Sequence, residues 1–591
     1  MRIDRIDPPC WFSGMKDTSL QLMVYGNGLK SVNIETSLPV IDKKVLPADS
    51  EHCVIINLEL QSNVPSGEYA LTLTNAEGKI IQYPYHIIAR RNRSHRPIDA
   101  SDVIYLLMPD RFARFAKQKL LPDVDVNNPN AWHGGNIRGI IDKLDYIRDL
   151  GVTAIWLTPV LENDNLPEKI DGKVYETYHG YAITDFYAVD KHFGSIDNYC
   201  ELVVEAHRRG LKVIKDVVFN HCSINHLWLK NSPQGDWING VDKSHRELTN
   251  YSVTTIFDKY ASASDKAVTV NGWFTASMPD LNLRNPDVLK YLTQMTIWWI
   301  ETANIDAIRM DTYLYSDFCA MQKWQRRLDL EYPGFSIIAE TWVPDASYTA
   351  KIQHEIIRNN KTCAPCIIMD FAFQKRLEKT FYKGDVRENK ETEMYDHFVS
   401  DFLYDDPVNT LAFIDNHDLP RWLSVNKGIK KLKQALAILM TSPRIPQLYY
   451  GTEVLMAGDG QGTGHGNYRE DMFDKFSEKT RSRKESEMLN YIKKLLNWRK
   501  NSKAVTKGEM IHYVPEGGCY VYFRQYESEC IMVISNLNNK KVMIDFDRFR
   551  ESMKGKRNAI NVITGELVDL SLEKLLMLEN ESVILNLIVD E

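Results

Sequence analysis

Ile305-Asp-Ala-Ile-Arg-Met-Asp-Thr312 places a cation, Arg309, two residues before a carboxylate, Asp311, at the end of a short apolar run. In a strand, side chains at i and i+2 share a face. A guanidinium held beside a carboxylate favours its ionised form. A strand that merely ends in a charged residue is common, and Asp311 alone proves nothing. Its weight comes from three more apolar runs that end in carboxylates, at Asp216, Glu340 and Asp418.

On either side of this stretch, short apolar runs recur, eight in all counting its own, at 103–108, 154–158, 212–218, 307–310, 336–339, 366–369, 410–414 and 447–450. Amphipathic helical patterns separate most of them, for example at 139–150, 198–209, 287–302 and 430–441. Eight strands alternating with helices predict a parallel (β/α)8 barrel, a multidomain α/β chain with a TIM barrel at its centre. The span assigned to it, 96–503, exceeds the usual ~250 residues and so predicts insertions. The largest, about 222–284, follows the third strand. It shows no helical period and reads as an irregular subdomain over one end of the barrel.

Both flanks read as all-β. Residues 1–95 carry partly alternating runs at 20–25, 54–60 and 69–74, with Gly26-Asn-Gly28, Pro65-Ser-Gly67 and Asn75-Ala-Glu-Gly78 as turns between them. This spacing predicts an N-terminal β-sandwich. The basic stretch 89–97 reads as a solvated linker. After a last long helix at 487–501, runs at 519–523, 531–535 and 542–546 predict a C-terminal β-sandwich over 504–591.

Composition narrows the function. A formal charge of -7 over 591 residues gives no basic footprint, so nucleic acid is not an expected partner. No apolar run approaches the ~18–20 residues of a membrane span, so no membrane insertion is expected. Met1-Arg-Ile-Asp-Arg-Ile-Asp7 lacks the apolar core of a signal peptide, which predicts a cytoplasmic protein, or a periplasmic one if a signal has been removed. Nine scattered cysteines argue against a disulfide framework. Cys363-Ala-Pro-Cys366 has redox-type spacing but no thioredoxin-like surroundings. The 12 Trp and 29 Tyr suit stacking on sugar rings, although most are expected in cores and interfaces.

In a (β/α)8 barrel the active site forms at the C-terminal ends of the strands. There the third strand ends Asp216-Val-Val-Phe-Asn-His221, the fourth Arg309-Met-Asp311, the fifth Glu340-Thr-Trp342 and the seventh Asp415-Asn-His-Asp418. Four strand ends thus deliver carboxylates, interleaved with His221, His417, Arg309 and Trp342. In this order and spacing, with Met278-Pro-Asp-Leu-Asn282 and Tyr178-His-Gly-Tyr181, the motifs resemble those of the α-amylase family of glycoside hydrolases. The resemblance is nearest to the cyclomaltodextrinase, neopullulanase and maltogenic amylase branch, and within it to SusA-type neopullulanases. It covers nearly the whole chain, since Pro9-Cys-Trp-Phe-Ser-Gly-Met15 and Leu20-Gln-Leu-Met-Val-Tyr-Gly26 are similar to that branch's N-terminal sandwich.

The resemblance implies a retaining hydrolase of α-1,4-glucosidic bonds, with α-1,6 bonds as a further target, acting on cyclodextrins, pullulan, maltooligosaccharides or starch fragments. The alternatives are a transglycosylase or isomerase on the same scaffold, and a non-catalytic starch-binding protein. Asp311 is implied as nucleophile, Glu340 as acid and then base, and Asp418 as the third carboxylate. Tyr181, His221, Arg309, His417 and Trp342 make up the expected substrate-binding set, while Asp216 orders the site. The chemistry needs no cofactor. A homodimer through the N-terminal domain is a further implication.

Two departures bear on calcium. Many family members have Lys-His three and four residues after the nucleophile, where this chain has Leu314 and Tyr315. In the loop after the first strand, Gly134-Gly-Asn136 stands where the branch has Gly-Gly-Asp, and Asp123, Asp125, Asn127 and Asn128 read either as replacement oxygen donors for a structural calcium or as a solvated acidic loop. Trp132 and His133 read as structural. Gly458–Gly466 reads as a mobile loop at the rim of the site, after the eighth strand, and lacks a phosphate-binding pattern.

Overall fold

The computed structural model describes every residue except 47, 92–95, 166–167, 171–172, 241–246, 360–365, 382–389, 462–463, 572–573 and 589–591. Eight strands close into a barrel: Ile104–Leu107, Ala154–Leu157, Lys212–Val218, Ala307–Asp311, Ser336–Ala339, Cys366–Met369, Thr410–Phe413 and Ile445–Tyr449. Each pairs in parallel with the next, and the eighth returns to the first. The expected barrel is the fold. Most strand positions are apolar and buried, as a sheet covered on both faces requires. Register sets the site: Asp216 lies opposite Arg309, Val218 opposite Asp311, and Met310 opposite Ala339. The alternation is visible in the third strand. Asp216 meets Arg309, whereas Lys215 faces the covering helices, its Nζ 3.9 Å from the Trp299 ring.

The covering helices begin where their sequences provide caps. Ile196–Arg208 starts with a capping box between Ser195 and Asn198, and Arg483–Asn501 with one between Ser482 and Glu485. Pro286–Ala303 is capped by Asn285 and stops at Asn304, whose φ of 60° ends the helical ladder. Each N-cap contributes about 1 kcal/mol.

Two four-stranded sheets form the N-terminal sandwich. One runs Arg2–Asp7, Ser19–Asn27, Cys53–Leu60, Val40–Leu46, and the other Trp11–Phe12, Ile80–Ile88, Gly67–Thr74, Asn33–Thr36. Its core is continuous with that of the barrel. At the seam, Gln294 Oε1 accepts from the Gln21 amide and Gln294 Nε2 donates to the Gln21 carbonyl, each at 2.7 Å. The C-terminal strands make a six-stranded sheet and a two-stranded one, with Phe523, Met532, Phe546 and Phe549 in an apolar cluster of their own.

Two features depart from expectation. The insertion after the third strand contains a nine-residue helix, Ala263–Asn271, started by Ser262. Only Thr269 of that helix is buried, so it has no apolar stripe for periodicity to detect. After the second strand, Leu161–Asn163 pairs antiparallel with Ile183–Val189 in an excursion that carries Tyr178–Tyr181. Cys363 lies outside the described residues, and Cys366 is buried in the sixth strand. Among the described residues no helix is long and apolar enough to cross a membrane.

Candidate active site

A cleft of about 770 Å³ opens at the C-terminal ends of the strands, with Asp311, Glu340 and Asp418 among its lining residues. Arg309 organises it from below. Fully buried, its Nη1 donates to Asp216 Oδ1 at 3.0 Å and to Asp311 Oδ1 at 2.7 Å. Its Nη2 lies 3.0 Å from Glu340 Oε2, as an ion pair without hydrogen-bond alignment. One guanidinium therefore spans carboxylates from three adjacent strands. Asp216 also accepts from Trp156 Nε1 and the Tyr181 hydroxyl, each at 3.0 Å, so every contact it makes is internal.

Thr312 ties the pair from the other side. Its φ of 45° is unusual for a β-branched residue, and such backbone strain clusters at functional sites. The turn aims its amide at Glu340 Oε2 (2.7 Å) while its hydroxyl donates to Asp311 Oδ2 (2.9 Å). Burial raises the Glu340 pKa to about 8, and the charge of Asp311 adds to the shift while Arg309 opposes it. Burial also acts to raise Asp418, but His417 and Arg469 outweigh it and bring its pKa down to about 2. Because burial lowers His417 itself to about 3, Arg469, with Nη2 2.8 Å from Asp418 Oδ1, is the cation that persists at neutral pH. Two carboxyl groups in one cleft are thus held in opposite protonation states near pH 7.

The expected substrate-binding residues divide. Tyr181, His221 and Trp342 line the cleft. His221 stacks on Phe274 (5.1 Å between centroids, 9° between planes) and burial lowers its pKa. Trp342 is 44% exposed and rests on Phe371 as a platform. Arg309 and His417 are not at the surface. Arg309 lies beneath the carboxylates, and His417 Nε2 is taken up by the Tyr181 hydroxyl (2.7 Å) and Asp418 Oδ2 (3.1 Å). Both position other groups and do not face the cleft, because strand-end side chains under the first layer are already used in bridging it.

Motifs alone missed Arg469, Tyr251 and Phe274 in the cleft and Trp156 beneath it, while His179 and Tyr315 stood in quoted stretches with no binding role given to them. Arg469 had a legible neighbour, the Gly-rich loop, whose Gly464 and His465 do reach the rim. Met278 lines the cleft, and the rest of Met278-Pro-Asp-Leu-Asn282 ties the insertion to the end of the third strand, with Leu281 donating to the Asn220 carbonyl and Cys222 to that of Pro279. Trp132 and His133 are structural as expected, Trp132 stacked on His192 and His133 paired with Asp471.

Three of the four donors proposed for calcium already meet protein groups. Asp123 pairs with His192, Asp125 accepts from the Asn127 amide, and the Asn128 side chain donates to the Val174 carbonyl. Among the described residues no group of three or more His, Cys, Asp or Glu is arranged to hold a metal ion. No calcium site is shown at these four residues.

Barrel and cleft together define a glycosidase. The chain belongs to the alpha-amylase family: residues 106–481 match the alpha amylase catalytic domain, 5–91 the N-terminal domain of cyclomaltodextrinase, and 510–586 the cyclomaltodextrinase C-terminal domain. It is 27% identical to a cyclomaltodextrinase of Thermoanaerobacter pseudethanolicus, over 81% of this chain and 77% of that protein. It is 25% identical to neopullulanase 2 of Thermoactinomyces vulgaris, over 85% and 80%. Among solved structures, an Anoxybacillus alpha-amylase superposes with a TM-score of 0.68 at 28% identity, covering 83% of this chain and 99% of the other. Enzymes of this family need no cofactor for catalysis.

Proposed function

We propose that the chain is a retaining hydrolase of α-1,4-glucosidic bonds in cyclodextrins, maltooligosaccharides and pullulan. The observation that carries this is the Asp311–Glu340 pair bridged by Arg309 and Thr312. In retaining cleavage one carboxylate attacks the anomeric carbon while a second carboxylic acid protonates the departing oxygen. Asp311, with both oxygens directed by donors, is the nucleophile. Glu340 gives its proton to the leaving sugar, and its carboxylate then takes one from water as water displaces Asp311. Asp418 grips hydroxyls of the sugar at the cleavage point, and Tyr181 stacks on its ring. A timed product profile on β-cyclodextrin, pullulan and soluble starch tests this and reports linkage preference. Absence of new reducing sugar from all three defeats it.

The state of Glu340 sets a pH dependence. With its pKa raised to about 8, the acid form is present below that value and lost as pH rises through it. The kcat/KM profile is expected to fall on its alkaline side near pH 8, and Glu340→Gln is expected to abolish that limb.

A second reading, glycosyl transfer to a sugar acceptor, is favoured by the aromatic wall of Tyr251, Phe274, Tyr315 and Trp342, which offers acceptor rings a stacking surface. Product analysis at high maltose separates transfer from hydrolysis. Because Asp123, Asp125 and Asn128 are engaged with protein groups, we expect EDTA to leave melting temperature and activity unchanged, and a drop in either with recovery on added calcium contradicts this. Dimerisation through the N-terminal sandwich is proposed from the branch resemblance, and sedimentation velocity is expected to give twice the 68.3 kDa chain mass.

A further inference from the structure

A second cavity, of about 480 Å³, lies outside the barrel, where the helices Pro286–Ala303 and Phe318–Glu331 meet the N-terminal sandwich. Its size is within the range of small-molecule sites. Leu289 and the buried Trp324 line its apolar side. Arg284, Lys290, Lys323 and Arg327 bring four cations to it, against two carboxylates, Asp17 and Asp317. Both carboxylates are engaged. Asp17 pairs with Arg327 and accepts from the Ser19 amide at 2.8 Å, and Asp317 caps the second helix by accepting from the Ala320 amide at 2.9 Å.

The other three cations lack such partners. Arg284 donates to two neutral side chains, Asn271 and Asn239. Lys290 and Lys323 form no ion pair among the described residues. Lys290 is partly buried, and burial lowers its pKa. Asp287 and Glu59 oppose that shift from beyond ion-pair distance, and each already accepts a hydrogen bond, from Gln21 and Thr18 respectively. A cation drawn out of water without a counter-charge carries a desolvation cost that a bound anion offsets. A phosphate monoester carries a charge of about -1.5 to -2 near pH 7, which matches the excess of cations over carboxylates here.

Two segments run from this cavity to the cleft. One places Met278 in the cleft and Arg284 in the cavity, and the other places Asp311, Thr312 and Tyr315 in the cleft and Asp317 and Cys319 in the cavity. The second segment holds the strained Thr312 and the tight turn Tyr313–Tyr315. A ligand drawing on the start of Phe318–Glu331 therefore bears on the turn that aims the Thr312 amide at Glu340 and its hydroxyl at Asp311. Small misplacements of such groups slow catalysis.

We propose that this cavity is an effector site for a small phosphate monoester, whose binding slows the reaction in the cleft. The binding stands apart from the glycosidase reading, and the effect on rate rests on it. Cys319, the one exposed cysteine among the described residues, lines the cavity and serves as a local probe. Its alkylation by iodoacetamide is followed by peptide mass spectrometry at constant ionic strength, with millimolar glucose 6-phosphate, AMP, inorganic phosphate or glucose. At least one ester is expected to slow alkylation several-fold, inorganic phosphate less, and glucose not at all. The arms with glucose 6-phosphate and AMP separate a sugar from a nucleotide as the carrier of the phosphate. The protecting ester is expected to lower kcat/KM on β-cyclodextrin about fivefold, at the low end of typical couplings between sites. Lys290→Met/Lys323→Met is expected to keep wild-type turnover without ester and to lose both responses, which sets this site apart from competition in the cleft. No protection by either ester, equal protection by inorganic phosphate, or undiminished protection in the double variant overturns the site. Protection with unchanged kcat/KM overturns the effector role. A wild-type enzyme that cleaves no glucan overturns the glycosidase reading and the effector role with it, while the protection of Cys319 still decides the site.

Discussion

Asp311→Asn is expected to lower kcat by several decades while leaving the fold intact, as removal of a nucleophile does in other covalent mechanisms. The substitution is nearly isosteric, and both oxygen positions of Asp311 face donors, Arg309 and Thr312, that an amide oxygen also satisfies in part. Glu340→Gln is expected to produce a loss of the same order, because the amide has no proton to give the leaving oxygen. The two losses differ in kind. Substrates with an activated leaving group, such as nitrophenyl glycosides, need little protonation, so in kcat/KM, which reports the first step, they recover much of the Glu340→Gln loss and none of the Asp311→Asn loss, while kcat stays low because the second step still lacks its base. Azide added to Asp311→Ala is expected to restore turnover and give a glycosyl azide of inverted configuration, since the small anion enters where the carboxylate stood. Near-normal turnover in either single variant refutes the mechanism.

Arg309→Met is expected to damage stability and catalysis together. The guanidinium is the shared partner of Asp216, Asp311 and Glu340, all nearly buried. Removing one partner of a buried charge cluster costs about 3–5 kcal/mol, because the charges left behind are desolvated and unpaired. The variant is expected to melt well below wild type. Lowering the pH is expected to narrow the gap, since protonation of the stranded carboxylates relieves their repulsion. Arg309→Lys keeps the charge but not the fork, and a single ammonium does not span three carboxylates. It is expected to recover part of the stability and little of the activity. An Arg309→Met protein as stable as wild type shows that the cluster is not held as the distances indicate.

Much of this architecture was legible in residue order. Six of the eight barrel strands lie within the runs picked out by apolar content and the other two overlap theirs, the fourth running on to Asp311 and the eighth starting at Ile445, because a strand buried on both faces is apolar along most of its length. Asp311, Glu340 and Asp418 were legible because each directly follows such a run or lies a few residues beyond it, at the end of the barrel where loops build sites. Ala263–Asn271 was not, because a helix with one buried residue carries no period. Arg469 and Tyr251 were not, because they belong to loops after the eighth and third strands, remote in sequence and brought to one cleft only when the barrel closes.

Residue order is enough for the parallel barrel and for the carboxylates at its strand ends, because burial and alternation are local constraints written residue by residue. Only the tertiary structure decided which of the expected binding residues face the cleft. Arg309 and His417 turned out to lie beneath the surface, while Tyr251 and His465 reached it from the rim. Whether a polar side chain meets substrate or props another residue depends on what the closed barrel stacks above it. That is a property of contacts between distant strands and is not visible in any one of them.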